Sequence, residues 1–171
     1  MSMIGYFYLV DELTLRRLLE HPPRIEGVVE EAMERGGDRF IDIEKAWHCL
    51  HFLLTGTAWE GTPPLDFIVR GGAEIGDIDV GYGPARGFTS AEVTAIAAAL
   101  EPIAVAELAA GFDTARMEAL QIYPGGRPGG WAGLDPTVVD SFGYFAEAFD
   151  AVKALVQRGR DEGRAMLCWL S

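Results

Sequence analysis

Both ends of the chain are short and almost uninterruptedly apolar: residues 3–10 read MIGYFYLV and Ala165–Leu170 read AMLCWL. An apolar run of that length without polar alternation suits a strand covered on both faces. Most of the intervening sequence repeats its apolar residues at helical spacing. Helices must therefore supply the cover, and the two terminal strands are predicted to meet in one sheet. The expected architecture is α+β, a single domain over residues 1–171 whose small mixed sheet includes the N- and C-terminal strands and is packed with several helices. With 171 residues, 49% of them hydrophobic and 23% charged, the chain has the makings of one core without staples.

Punctuation along the chain fills in this frame. Asp11 offers an N-cap to a helix carrying Leu13, Leu15, Leu18 and Leu19, which Pro22-Pro23 stops. A second helix over about residues 24–35 presents Ile25, Val28, Val29, Ala32 and Met33 and ends at Gly36-Gly37. Asp42 is expected to cap a third helix, 43–55, closed by Gly56. Residues 65–69 read as a strand, and the glycine-rich stretch 71–83 as a loop or an irregular hairpin. Thr89-Ser-Ala-Glu92 is a capping box, with Phe88 placed to staple onto Val93. A short helix over about 103–110 stops at Gly111, and Asp113 caps another turn. After a glycine-proline loop over 124–134, Asp135-Pro136 starts the longest helix. Its stripe of Val138, Phe142, Phe145, Phe149, Val152 and Val156 is core-facing, and Gly163 ends it.

Charge excludes one class of function. The formal net charge is −12, with 15 acidic and 7 basic residues in 1–85 and 11 acidic and 7 basic in 86–171. Acidity in both halves repels phosphate backbones, so no nucleic acid is expected as a partner; a basic protein is. No apolar stretch approaches the ~20 residues that span a bilayer, and residues 3–10 lack a basic leader or a cleavage site, so a cytoplasmic protein with no membrane partner is expected. Cys49 and Cys168 lie inside apolar runs and read as buried thiols in a reducing compartment.

The third helix concentrates the polar chemistry. At 100° per residue its apolar residues cover roughly 220°, leaving Glu44, His48, His51 and Thr55 in a wedge roughly 60° wide. Such a wedge must face solvent, a pocket or a buried polar network. Glu44, His48 and His51 have spacing that could reach a metal, but no second histidine-rich segment completes the ligand set, so no metal and no cofactor are expected. An imidazole there could serve as an acid or base, or could simply be hydrogen-bonded in a half-buried face. The second candidate is Gly81-Tyr-Gly-Pro-Ala-Arg86, where paired glycines permit a tight turn and Arg86 could grip a carboxylate or phosphate. It lacks the third glycine of a dinucleotide fingerprint, and no nucleophile elbow or phosphate loop occurs elsewhere.

These segments together resemble a known family. The opening MIGYFYLV, the helix DIEKAWHCLHFLLTG, the GYGPAR turn followed by FTSAEV, and the long helix leading to a terminal apolar strand are similar to the YfbM-like bacterial proteins. That family is a domain of unknown function. The resemblance implies a small α+β bacterial protein and carries over no catalytic residue, but it draws attention to Trp47, His51, Tyr82 and Arg86. Two readings follow. One is a non-enzymatic module that binds a basic partner, as a toxin-neutralising immunity protein does. The other is a small-molecule enzyme or ligand-binding protein with a pocket of Glu44, Trp47, His48, His51, Tyr82 and Arg86, which requires the helix and the turn to approach within about 10 Å across a concavity.

Overall fold

A computed structural model describes residues 2–125 and 141–171. In chain order the elements are β1 (Gly5–Val10), α1 (Glu12–Glu20), α2 (Ile25–Arg35), β2 (Phe40–Asp42), α3 (Trp47–Thr55), β3 (Ala73–Asp79), β4 (Pro84–Phe88), α4 (Ser90–Leu100), α5 (Val105–Ala110), α6 (Thr114–Ala119), α7 (Ser141–Glu162) and β5 (Ala165–Leu170). The expected helix start at Asp135-Pro136, the stripe residue Val138 and the 124–134 loop beyond Gly125 lie outside the described residues.

The terminal strands do meet. β1 and β5 pair along their full length, from Gly5 opposite Leu170 to Val10 opposite Ala165, at the centre of a sheet ordered β2-β1-β5-β4-β3. Every pairing is antiparallel, where a mixed sheet was expected. Parallel neighbours need a crossover between strands pointing the same way. Here β3 and β4 are joined by the tight turn 80–83, and the two terminal strands run in opposite directions.

Alternation sends the strand residues to two cores. Phe7, Leu9, Phe88, Met166 and Cys168 join α3, α4 and α7 through Leu50, Ile96, Phe149 and Val156. The opposite face sends Tyr6, Ile75, Leu167 and Trp169 against α1 and α2 through Leu15, Leu18, Ile25 and Ala32. Tyr6 stacks on Trp169 with ring centroids 5.4 Å apart, and Phe40 extends the stack. Helices on both faces thus explain why the terminal strands contain almost no polar residues.

Local signals place most helix ends. The Asp11 carboxylate accepts the Thr14 N–H at 2.6 Å, Asp113 accepts that of Arg116 at 3.0 Å, and Gly56 ends α3 at φ +73°. Thr89 and Glu92 form a complete capping box on α4. Residues 71–83 contain the irregular hairpin, with a register shift between Glu74 and Asp79.

Two elements differ from expectation. Residues 65–69 form consecutive turns and not a strand: Leu65 N–H donates to Thr62, and Val69 and Arg70 N–H both donate to the Asp66 carbonyl. Pro63-Pro64 deprives the segment of two ladder donors just upstream, and side chains take several of its carbonyls. α3 begins at Trp47, because Asp42 closes β2 and its carboxylate accepts the Glu44 N–H at 2.6 Å. A 3-10 turn over Glu44–Ala46, with Glu44 at φ +46°, intervenes before the helix.

The capping box yields a direct check. Thr89→Ala removes one of its two reciprocal bonds and is expected to lower unfolding free energy by about 1 kcal/mol in urea denaturation, with an unchanged slope.

Candidate functional site

The polar wedge of α3 faces a buried network built from the loop that follows the helix. His48 donates Nε2–H to the Ala58 carbonyl at 2.8 Å and accepts the Tyr123 N–H on Nδ1 at 2.9 Å. Those partners fix the neutral Nε2–H tautomer and occupy both ring nitrogens. His51 donates Nε2–H to the Glu60 carbonyl at 2.9 Å, and its Nδ1 is buried without a partner. Thr55 completes the row by donating Oγ1–H to the His51 carbonyl at 2.8 Å. The wedge thus folds residues 57–60 back onto the helix.

Aromatic rings seal this network. Trp47 is buried, stacks on His48 at 4.8 Å and 6°, and donates its indole N–H to the Met3 carbonyl at 3.2 Å. Trp59 covers His48 at 4.3 Å while remaining half exposed, and Tyr123 stacks on Trp47 at 5.7 Å. Burial pushes the His48 pKa down from 6.5 to about 4, against the opposing pull of the Ala58 carbonyl. Burial also lowers that of His51, opposed by the Glu60 carbonyl and Asp66 and reinforced by Arg70 and Arg86. His48 is therefore neutral at neutral pH with no free lone pair.

The GYGPAR segment divides its residues between two places. Gly81, Tyr82 and Gly83 form the β3–β4 turn, whose Gly81 and Gly83 N–H groups donate to the Asp79 carboxylate at 2.8 and 3.0 Å. Tyr82 N–H reaches the Leu170 carbonyl at 3.0 Å, and a Cβ on Gly81 would lie 2.5 Å from Ser171. Gly81 and the Tyr82 N–H dock the turn on the end of β5, and the Tyr82 ring stays exposed. Arg86 lies inside β4 and turns toward the irregular segment. Its guanidinium donates to the carbonyls of Phe67 (3.1 Å), Ile68 (2.6 Å), Arg70 and Gly71 (3.0 Å), and contacts Cys168 Sγ at 3.3 Å. It makes no ion pair with a carboxylate among the described residues.

None of the clefts described among these residues brings the six together. Trp47, His48 and His51 lie together in the core, whereas Glu44 is exposed on its 3-10 turn and accepts the Tyr144 hydroxyl at 3.3 Å. Of the six, Arg86 alone lines one of the described clefts, a concavity of about 430 Å³ shared with Trp59, Arg70 and Glu74. Cys49 and Cys168 are free and buried, and burial raises both thiols. No group of three potential metal ligands occurs among the described residues. No helix among them is long and apolar enough to cross a membrane.

Sequence reasoning missed Asp66, whose side chain is only 5% exposed. A carboxylate inside the apolar run Leu65-Asp-Phe-Ile-Val69 was the available signal. It lines a second cleft, of about 290 Å³, with Pro63, Phe67, Phe88, Glu92, Ala95 and Ile96 among its walls.

Fold and site together define a single-domain α+β protein with helices on both faces of an antiparallel sheet and a histidine-bearing helix locked into its core. The family described as "Domain of unknown function (DUF1877)" matches residues 1–169, and the chain belongs to it. Protein YfbM of Escherichia coli (strain K12) is 32% identical over 128 residues, 73% of this chain and 75% of that protein. The crystal structure of a protein of unknown function, YfbM from Escherichia coli, aligns with a TM-score of 0.73 at 26% identity, covering 98% of this chain and 99% of that one.

The buried imidazole makes stability depend on pH. Folding holds His48 neutral to about pH 4, while the unfolded ring takes its proton near 6.5. Between these values the unfolded state binds more protons, so stability is full above pH 6.5 and falls as pH drops toward 4. The loss is about 3 kcal/mol, with His51 adding to it in the same direction. Urea denaturation between pH 8 and 4 is expected to show this slope in the wild type and a shallower one in His48→Gln.

Proposed function

We propose that the protein is a non-enzymatic binding module for a basic protein, of the kind a toxin-neutralising immunity protein engages. The observation that carries this reading is how the chain spends its cations. Arg70 donates to the Trp59 carbonyl, Arg86 to the 67–71 turn, Arg116 to Gly56, and Lys153 to Glu101 and Ile103. Four of the cations are thus used to satisfy backbone carbonyls, while Arg16, Arg17 and Arg24 stay exposed. All but one of the ion pairs among the described residues gather at the C-terminal half of α7, around Arg158, Arg160, Glu162 and Arg164.

Helix α2, on the other face of the sheet from α7, and the edge strand β3 keep their negative charge. Glu26, Glu30 and Glu31 on α2, and Glu74, Asp77 and Asp79 on β3, are exposed and have no ion-pair partner among the described residues. The two segments adjoin where Gly76 lies against Pro22, just before α2. Glu26 and Glu30 stand one helical turn apart, a like-charge spacing that opposes the helix. A basic partner relieves that repulsion and is steered toward it from a distance.

Capture on immobilised protein from the source cell tests the reading. The wild type is expected to retain a basic protein that about 0.5 M salt releases and that the triple variant Glu26→Lys, Glu30→Lys, Glu31→Lys fails to hold. Retention of no protein, or retention indifferent to both salt and charge reversal, contradicts it.

A further inference from the structure

We infer that the cleft beside Asp66 is a socket for a cationic side chain, an arginine presented by the basic partner; this rests on the reading just given. Three features converge there. The first is Asp66 itself, 5% exposed, whose carboxylate has no hydrogen bond or ion pair among the described residues. Neither of its oxygens is among the fully enclosed polar atoms without a partner, so the carboxylate keeps contact with the cleft it lines, where a donor can reach it. The neighbouring cations do not meet the need, since Arg70 and Arg86 are turned to backbone carbonyls.

The second feature is the wall. Phe67, Phe88 and Ile96 are core residues at 1%, 3% and 2% exposure, so the cleft reaches to the core, and Pro63, Pro64 and Ala95 frame it. Such walls suit the aliphatic stem and the flat, weakly hydrated face of a guanidinium. Gly72 keeps the space open, at φ +69° and with a Cβ position only 3.0 Å from the Phe88 ring. The third feature is charge. Glu92 also lines the cleft, and both hydrogen bonds that its carboxylate accepts, from the Thr89 N–H and the Thr89 hydroxyl, fall on Oε2, leaving Oε1 without a hydrogen bond. No arginine or lysine lines this cleft. Its volume of about 290 Å³ is at the small end for ligand sites and matches one inserted side chain better than a large metabolite. An arginine anchored in a desolvated pocket is a common centre of binding energy in protein interfaces.

The probe is a blocked arginine, N-acetyl-arginine methylamide, titrated into the full chain by NMR, with the blocked citrulline as its neutral counterpart. The wild type is expected to bind the arginine probe saturably in the millimolar range and the citrulline probe at least about tenfold more weakly. Asp66→Asn, nearly isosteric, is expected to lose about tenfold in affinity. Ala95→Trp, at an exposed α4 position, fills the cleft without entering the core and is expected to abolish binding. Absence of saturable binding to the wild type overturns the inference, as does binding unchanged in either variant. If the probe binds through Asp66 while no basic protein is captured, the socket stands and the partner reading falls. If a basic protein is captured with an affinity indifferent to Asp66→Asn, the partner reading stands and the socket falls.

Discussion

One side chain joins the regular and irregular halves of this fold. Arg86 projects from β4, beside Cys168 of β5, and its guanidinium gathers the carbonyls of Phe67, Ile68, Arg70 and Gly71. That segment has no ladder or helix to absorb its carbonyls, yet Phe67 and Ile68 are core residues. Buried carbonyls without partners are costly, so a chain that packs an irregular segment needs a multivalent donor. A guanidinium supplies several donors in a fixed plane, and the charge strengthens each bond. With the segment held, Phe67 can tilt against Phe7 at 6.0 Å, and the clefts beside Asp66 and beside Trp59 acquire their walls.

The same economy recurs at the histidines. His48 and His51 fasten the loop after α3 by its Ala58 and Glu60 carbonyls, as Arg70 fastens Trp59. Residues that look chemical in the sequence are spent on closing irregular backbone. A consequence lies on the surface: Arg70, Arg86, Arg116 and Lys153 bond to backbone carbonyls, and the exposed carboxylates Glu26, Glu30, Glu31, Glu74, Asp77 and Asp79 have no ion-pair partner among the described residues.

Where a residue's neighbours are local, the sequence was legible. Asp11, Thr89 with Glu92, Asp113 and Gly56 set helix ends within one turn of themselves, and all four act where the spacing put them. The apolar terminal strands were legible because only a sheet centre needs them. The third helix was legible in type but not in its start: the period of 3.6 carries Glu44 onto the wedge only if residues 43–46 are α-helical, and the Asp42 carboxylate holds a 3-10 turn there instead. Residues 65–69 carry strand composition, but their structure is decided by Arg86, 15 to 19 residues along the chain. No pattern within the window reveals such a partner. Asp66 escaped for the same reason, since its significance comes from what surrounds it in space.

The most direct test of Arg86 as the joint is the unfolding free energy of Arg86→Lys in urea. Lysine keeps the charge but its donors radiate from one atom and cannot span carbonyls from Phe67 to Gly71. A loss of about 2 kcal/mol or more is predicted. Stability within about 0.5 kcal/mol of the wild type, as for an ordinary surface substitution, would contradict the structural role and return Arg86 to the list of residues free to bind a ligand.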